Sequence, residues 1–264
     1  MKLCAITDEI SRDFEKAIQI GLENGIQAFE LRTIYGKRFP FYDEDDIGTL
    51  INLREKYQFQ ISAIVLGVYK IGLEQTPWDD LKQFGYSKIF KLAEKLECPN
   101  FIVFASEQNL NENEYRIMID NIKKFTVRAV NNGFSVLLEN SANSYCKSSK
   151  KLLEVLNEVS VPGLFIDWNP CNSFCCDSLN IRNDYTRLQP HLKNIHLKDA
   201  KTLSNGDKEF VPLNEGEINL NRIFSLLKEN GYSQNITIET NCTDSETAFI
   251  KSVEYVKGKI RAMA

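Results

Sequence analysis

The stretch LKNIHLKDA, residues 192–200, decides the fold, because it has the pattern of a buried strand that ends in chemically useful side chains. Side chains alternate along a strand, so His196 and Lys198 point to one face while Ile195 and Leu197 point to the other. His196 is one of two histidines in the chain. A histidine among apolar residues is usually a core residue with one hydrogen bond, so a chemical role for it depends on the rest of the sequence.

Seven further apolar runs of strand length accompany this one and alternate with helical patterns. The predicted strands cover residues 3–7, 28–32, 60–65, 101–105, 134–139, 164–167, 192–197 and 235–239. The first intervening helix has Ser11 as a candidate cap and Gly25 as its end. Another is predicted to begin at Thr76, with Pro77 in its first position. Eight strands alternating with helices over about 250 residues predict a closed (β/α)₈ TIM barrel.

An open, doubly wound sheet is the competing architecture. Its nucleotide-binding version carries a glycine-rich turn after the first strand, whereas this first strand continues into ITDEIS, residues 6–11. The helical pattern is weakest over residues 170–190, where the sixth helix is expected. No linker-like composition divides the chain, so we predict a single TIM-barrel domain over residues 1–264.

Composition excludes several classes of function. The chain has 32 basic and 36 acidic residues and no basic run with interleaved aromatic residues, which argues against nucleic acid as a partner. No run of roughly 18 apolar residues occurs, so no membrane-spanning segment is predicted. The seven cysteines are odd in number and irregularly spaced, and the N-terminus has no apolar stretch long enough for a signal peptide. We therefore expect reduced thiols in a cytoplasmic protein.

Four consecutive predicted strands end in a potential metal ligand. These ligands are Glu139, Asp167, His196 and Glu239. Taken singly, a strand-end carboxylate is often solvated or caps the next helix. In a TIM barrel, however, the carboxyl ends of the strands surround one mouth. Three carboxylates converging there would repel one another strongly unless a cation or protons compensated them. Together the four residues predict a divalent-metal site that His196 completes.

The sequence around these residues resembles a known family. GIQAFELR (25–32), VLLEN (136–140), FIDWNPCN (165–172), HLKNIHLKDA (191–200), VPLNEGEIN (211–219) and GYSQNITIET (231–240) are similar, in order and spacing, to the xylose isomerase-like TIM barrels of the sugar phosphate isomerase/epimerase group. The resemblance implies that the four residues bind a divalent metal and that Glu139 and Glu239 act as acid and base. It implies an isomerase or epimerase that moves a proton of a small ketose or related sugar through an enediolate, in an oligomer of identical chains.

Other activities stay open within this resemblance. The superfamily includes dehydratases, which expel water from a similar enediolate, and a non-catalytic sugar-binding barrel is a further alternative. Many members have a histidine shortly after the strand-six aspartate, where this chain has Asn169 and Asn172, and Asn214 stands where many have glycine. Endonuclease IV shares the barrel, but its zinc cluster needs more histidines than this chain has.

Five residues near the predicted mouth are candidates to bind substrate: Lys198, Asn169, Arg32, Glu30 and Trp168. Glu30 and Arg32 share the inward face of the second strand, where they either form a structural ion pair or contact substrate. Lys198 either binds substrate or neutralises a carboxylate-rich mouth. Alternation directs Trp168 away from the metal, unless the strand has already ended there.

The predicted ligand set also indicates which cation it prefers. A carboxylate-rich site without thiolates favours oxygen-preferring ions. We expect Mn²⁺, with Mg²⁺, Co²⁺ and Zn²⁺ as the other possibilities.

Overall fold

A computed structural model describes residues 1–38, 42–66, 86–106 and 108–263. Eight parallel strands form a closed barrel in which neighbours in sequence are neighbours in space. They are β1 (Lys2–Ile6), β2 (Ala28–Leu31), β3 (Gln60–Val65), β4 (Asn100–Phe104), β5 (Ser135–Glu139), β6 (Leu164–Trp168), β7 (Leu192–Leu197) and β8 (Asn235–Ile238). The TIM-barrel prediction is confirmed, and each predicted strand end lies within one residue of the observed end.

Helices cover the outside of the barrel. The described helices are α1 (Phe14–Glu23), α2 (Glu44–Tyr57), α3 (Tyr86–Lys95), α4 (Glu112–Asn131), α5 (Ser149–Val159), α6 (Pro170–Phe174), α7 (Ile181–Leu188), α8 (Leu220–Glu229) and α9 (Ser245–Met263). The predicted helix at Thr76 lies outside the described residues. The weak pattern over 170–190 corresponds to two short helices, α6 and α7, in place of one longer helix.

The start of α1 differs from the prediction. The cap is Asp13 and not the predicted Ser11, because the Asp13 carboxylate accepts from the Lys16 backbone N–H. The Ser11 hydroxyl accepts from the Asp13 backbone N–H, before the helix begins. Gly25 follows the helix with φ +67°, a left-handed conformation that glycine adopts without a steric penalty.

The barrel interior has an apolar half and a polar half. Ala63, Val65, Ile102, Phe104 and Leu137 form the apolar cluster, with Phe165 packed against it. The buried side chains of Glu30, Asn194, His196 and Thr237 occupy the other half. The polar half lies on the side of His196 and Glu239, whereas the apolar residues Leu137 and Phe165 precede Glu139 and Asp167 by two positions on the same strand faces, so the interior is asymmetric beneath the mouth.

Two irregularities in strand register fall beside the polar half. The β2–β3 register shifts between Phe29 and Glu30, and the β6–β7 register shifts between Ile166 and Asp167. A bulge re-aims the side chain that follows it. Glu30 and Asp167 both contact His196, so both bulges direct carboxylates toward the same imidazole.

Two antiparallel hairpins extend the barrel, at 33–38 and 199–211. Neither hairpin was predicted. All seven cysteines are free thiols. None of the helices in the described part of the chain is long and apolar enough to span a bilayer.

Candidate active site

His196, the second-last residue of β7, is the centre of the site. Its Nε2 lies 2.8 Å from Glu30 Oε2 and 2.9 Å from Asp167 Oδ2. Its Nδ1 lies 3.4 Å from Glu139 Oε1 and 3.7 Å from Glu239 Oε2. The imidazole is buried and meets carboxylates on both edges.

Glu30 holds the inner edge of this imidazole. It is fully buried, and its Oε1 accepts hydrogen bonds from Asn194 Nδ2 at 2.8 Å and from Thr237 Oγ1 at 2.5 Å. A carboxylate that accepts the N–H of one ring nitrogen fixes the tautomer and leaves the other nitrogen free to ligate a metal. The sequence prediction is corrected here: Glu30 neither pairs with Arg32 nor reaches the mouth, because the β2–β3 bulge and its three partners hold it beneath His196.

Three of the four predicted metal ligands come together. Ligand atoms of Glu139, His196 and Glu239 all lie within 4.8 Å of one another, and all three residues are buried. Asp167 stands beside them, near the Nε2 edge of His196 but not aligned for a hydrogen bond. His196 Nδ1 and both Asp167 carboxylate oxygens have no hydrogen-bond partner among the described residues. Buried polar atoms without partners are rare, and a bound divalent cation would satisfy those that face it. The residues therefore fit a divalent cation.

The charges of the site perturb several pKa values. Burial raises the pKa of Asp167 to about 7, although the His196 imidazole opposes that shift. Burial lowers the pKa of His196, but the surrounding carboxylates of Asp167, Glu30 and Glu139 outweigh it and raise the pKa well above its usual value. Burial raises the pKa of Glu239, but Lys198, His196 and Arg32 outweigh it, so that carboxyl group titrates well below its usual range. The raised pKa of His196 reflects the excess of negative charge around the imidazole.

Arg32 holds the second predicted catalytic glutamate in place. Its guanidinium donates to Glu239 Oε1 at 3.1 Å and to Asp8 Oδ2 at 3.0 Å, and it also pairs with Glu9. Glu9 in turn accepts from the Asn241 backbone N–H at 2.5 Å. Since three carboxylates already surround the guanidinium, the geometry makes Arg32 a residue that positions Glu239. The prediction missed Asp8 and Glu9, although both directly follow a barrel strand, where functional residues collect.

Lys198 approaches the same glutamate from the other side. Its buried ammonium lies 3.3 Å from Glu239 Oε2 and 5.0 Å from the centroid of the Phe210 ring, in the 199–211 hairpin. Of the two roles considered for this lysine, these contacts fit neutralisation of the carboxylate-rich mouth.

Asn169 connects the two predicted catalytic glutamates. Its Nδ2 donates to Glu239 Oε2 at 2.8 Å and to Glu139 Oε1 at 3.2 Å. Its Oδ1 caps α6 by accepting from the Asn172 backbone N–H at 3.1 Å. The side chain is fixed by this cap and lies between the two carboxylates.

Trp168 does not reach the site. β6 continues through it, so alternation turns the indole toward the helices, where it is fully buried 6.2 Å from the Tyr185 ring of α7. The prediction that Trp168 contacts substrate is therefore wrong, and its indole packs beneath the outer helices.

Asp199 anchors the segment that follows Lys198. Its carboxylate accepts from four backbone N–H groups, those of Ala200, Asn214, Gly216 and Ile218, at 2.9–3.2 Å. A Cβ on Gly216 would lie 2.2 Å from Asp199 Oδ1, so only glycine leaves room for this cage. The aspartate thus ties the base of the 199–211 hairpin to the loop that returns to α8, beside Lys198.

Comparisons with known proteins agree with the architecture. A family model described as the xylose isomerase-like TIM barrel matches residues 18–259. Three solved structures have similar folds. The probable 3-DHS dehydratase AsbF of Bacillus anthracis is 17% identical, with a TM-score of 0.78 over 97% of this chain and 99% of that one. The IOLI protein, solved with a zinc atom, is 17% identical, with a TM-score of 0.77 over 100% and 98%. A D-allulose 3-epimerase from Methylomonas sp. is 14% identical, with a TM-score of 0.78 over 98% of each chain.

The sequence comparison with curated proteins finds no significant match. At 14–17% identity, likeness to the solved structures shows a shared fold. The family model, in contrast, spans most of the length of the sequence. The chain therefore belongs to the xylose isomerase-like TIM barrel family.

Proposed function

We propose that this chain is a divalent-metal-dependent isomerase or epimerase of a small ketose or related sugar. The observation that carries the proposal is the pair of buried glutamates, Glu139 and Glu239, whose carboxylates face the same edge of His196. Of two carboxylates on either side of a substrate, one can remove a proton and the other can return one. The D-allulose 3-epimerase of Methylomonas sp., which shares the fold, supports this choice of reaction class.

We infer that Glu139, His196, Glu239 and Asp167 hold the cation. When bound, a divalent cation polarises a substrate carbonyl and stabilises negative charge on its oxygen. Mn²⁺ is the ion we expect, because three carboxylates and one imidazole suit oxygen-preferring metals. Mg²⁺, Co²⁺ and Zn²⁺ share enough of this preference to compete, and the zinc in the IOLI structure supports a divalent site in this fold.

The residues of the chain divide the proton transfer between them. One glutamate removes the proton next to the carbonyl, and the other returns a proton to the opposite face or to the neighbouring carbon. Arg32 and Lys198 hold Glu239 from two sides, so its carboxylate is fixed and ionised before substrate arrives. Asn169 contacts both carboxylates and is placed to exchange those hydrogen bonds for substrate hydroxyl groups.

Dehydration is the second candidate reaction. The same loss of a proton next to a carbonyl, followed by departure of a β-hydroxyl as water, would use the same carboxylates. The dehydratase AsbF, which matches over nearly the full length of both chains, favours keeping this reaction in the test. A non-catalytic sugar-binding barrel would not need either glutamate, and both are present.

Deuterium incorporation distinguishes these candidates. Mn²⁺-loaded protein is incubated in D₂O with a panel of ketoses and inososes, and products are read by mass spectrometry. Deuterium next to a carbonyl without loss of water supports isomerisation or epimerisation, whereas a product lighter by one water supports dehydration. A protein that binds Mn²⁺ but exchanges no proton of any compound contradicts the proposal.

Variants assign the two carboxylates. Glu139→Gln and Glu239→Gln should each lower the exchange rate by about 10²- to 10⁴-fold, the usual contribution of a general acid or base. Glu154→Gln is the matched control, because Glu154 is a helix-surface glutamate paired with Lys151 and Tyr145. It should exchange at the wild-type rate.

A further inference from the structure

A polar cavity lies at the opposite end of the barrel from the candidate active site. It has a volume of about 340 Å³ and is lined by the first residues of several strands and by α2, including Lys2, Arg54, Gln60, Asn100, Lys193 and Asn235. The strand starts form the N-terminal face of a TIM barrel, which normally carries structural residues only.

The cavity carries excess positive charge. Its charged lining residues are Lys2, Arg54, Lys193 and Glu97, which gives three positive charges against one negative charge. Arg54 pairs with Glu97. Lys2 Nζ donates to Gln60, and Lys193 Nζ lies 2.8 Å from Ser135 Oγ and 4.5 Å from the Phe165 ring centroid. In the described ranges neither lysine forms an ion pair with a carboxylate, so the lining has a net charge of +2.

Two buried hydrogen-bonding atoms of residues that line the cavity have no partner within the described part of the chain. They are Arg54 Nε, a donor, and Asn100 Oδ1, an acceptor. The orientation of the asparagine is set by its Nδ2, which donates to the Ser62 carbonyl at 2.8 Å, and its side chain is only 5% exposed. A buried polar group left without a partner is costly, so these two groups call for a ligand with both acceptors and a donor.

We propose that this cavity binds a phosphate group. A phosphate dianion neutralises the +2 lining, and its oxygens accept from the two lysines and from Arg54 Nε in charge-assisted hydrogen bonds. Hydrogen phosphate also carries one hydroxyl that donates to Asn100 Oδ1. In a small phosphate monoester, a hydroxyl on the attached carbon chain supplies that donor. Sulfate has the same shape and charge but no donor, so it leaves the asparagine oxygen facing another acceptor.

Calorimetric titration of the full-length, chelator-treated protein tests the site. The probes are inorganic phosphate, glycerol 3-phosphate and sulfate. Saturable binding of at least one phosphate probe is expected, with sulfate about tenfold weaker or worse. Lys193→Gln and Lys2→Gln should each weaken phosphate binding by about tenfold or more, the worth of one hydrogen bond to a charged group. Lys124→Gln removes the same charge from the exposed surface of α4 and should leave the affinity unchanged.

The two phosphate probes separate the possible sources of the ligand. Tighter binding of inorganic phosphate assigns the site to the free ion, and tighter binding of glycerol 3-phosphate assigns it to a phosphorylated metabolite. The proposal is overturned if neither probe saturates. It is also overturned if both lysine variants bind phosphate as tightly as the wild type, since the anion would then lie elsewhere. Because chelator-treated protein is used, the outcome is independent of the metal-dependent activity.

Discussion

Replacing Glu30 by glutamine tests how the barrel interior controls the candidate metal ligand. The substitution keeps the side-chain volume but removes the charge 2.8 Å from His196 Nε2, in a fully buried position. A hydrogen bond to a charged group contributes about 1.5–3 kcal/mol and a neutral one about 0.5–1.5 kcal/mol. The loss is therefore about 1–2 kcal/mol, or roughly 5- to 30-fold in affinity. That range overlaps the roughly 10- to 100-fold loss seen when the hydrogen-bond partner of a metal-binding histidine is mutated.

Competition for Mn²⁺ between the protein and a fluorescent chelator measures this loss. The Glu30→Gln variant should bind Mn²⁺ at least about fivefold more weakly than the wild type, while its circular dichroism spectrum is unchanged. Glu154→Gln removes an equal charge at a helix surface and serves as the control. An unchanged Mn²⁺ affinity in a folded Glu30→Gln protein would refute the reasoning that Glu30 sets the ligating nitrogen of His196. An equal loss in the control would refute it as well.

Three further outcomes follow from the contacts above. Gly216→Ala should lower the free energy of unfolding, measured in urea, by about 2–3 kcal/mol, because the new Cβ would overlap the Asp199 carboxylate. Gly258→Ala is the control: it has open space around it in α9 and should raise the free energy of unfolding by about 0.5–1 kcal/mol. Trp168→Phe should leave the kcat/KM of the active protein within about twofold while lowering its melting temperature, since the indole packs on Tyr185; a tenfold fall in kcat/KM would restore it as a substrate residue. Mn²⁺ at 100 times its Kd should raise the melting temperature by about 5–10 °C in a scanning experiment, and no shift would argue against a site in the folded state.

The barrel and the strand-end residues were predictable because their signals are local. Alternation along each strand is enough to place His196 of β7 inside the barrel and Trp168 of β6 outside it. The parallel order of the strands then brings their carboxyl ends together without any knowledge of loop geometry. Glu139, His196 and Glu239 are close in space for this reason, although they come from three different strands.

Contacts across the barrel could not be predicted in the same way. Glu30 and His196 are 166 residues apart, and Arg32 and Glu239 are 207 apart. Sequence periodicity reports which face a side chain takes, but it does not report which residue it meets on a strand that is distant in sequence. The β2–β3 bulge adds a shift that no periodic pattern contains. The Glu30–Arg32 ion pair, one of the two predicted alternatives, was wrong for this reason: Arg32 pairs with carboxylates at the mouth, whereas Glu30 is bonded beneath His196.

The 199–211 hairpin was missed for a different reason. Its strands, Asp199–Thr202 and Lys208–Val211, are short, are buried only at the base of the hairpin and lack an alternating apolar pattern. What holds the hairpin at its base is the cage of backbone N–H groups around Asp199, and such a cage has no sequence signature beyond the aspartate and Gly216. Lys198 owes its position beside Glu239 to a segment stabilised by main-chain hydrogen bonds.

The two buried carboxylates beside His196 differ in a way that separates support from ligation. Glu30 has three hydrogen-bonding partners, which compensate the charge of its buried carboxylate. Both oxygens of Asp167 lack a hydrogen-bond partner within the described residues, although the residue is equally buried and its Oδ2 lies 2.9 Å from His196 Nε2. Burial outweighs the attraction of His196 and raises the pKa of Asp167 to about 7, so the charged carboxylate is destabilising and its replacement by a neutral residue should stabilise the metal-free fold. Asp167→Asn should therefore raise the melting temperature of chelator-treated protein while weakening Mn²⁺ binding. If the variant lowered the melting temperature of chelator-treated protein as well as the Mn²⁺ affinity, the charge of Asp167 would be needed in the absence of a cation. Asp167 would then be a structural partner of His196 and not a ligand.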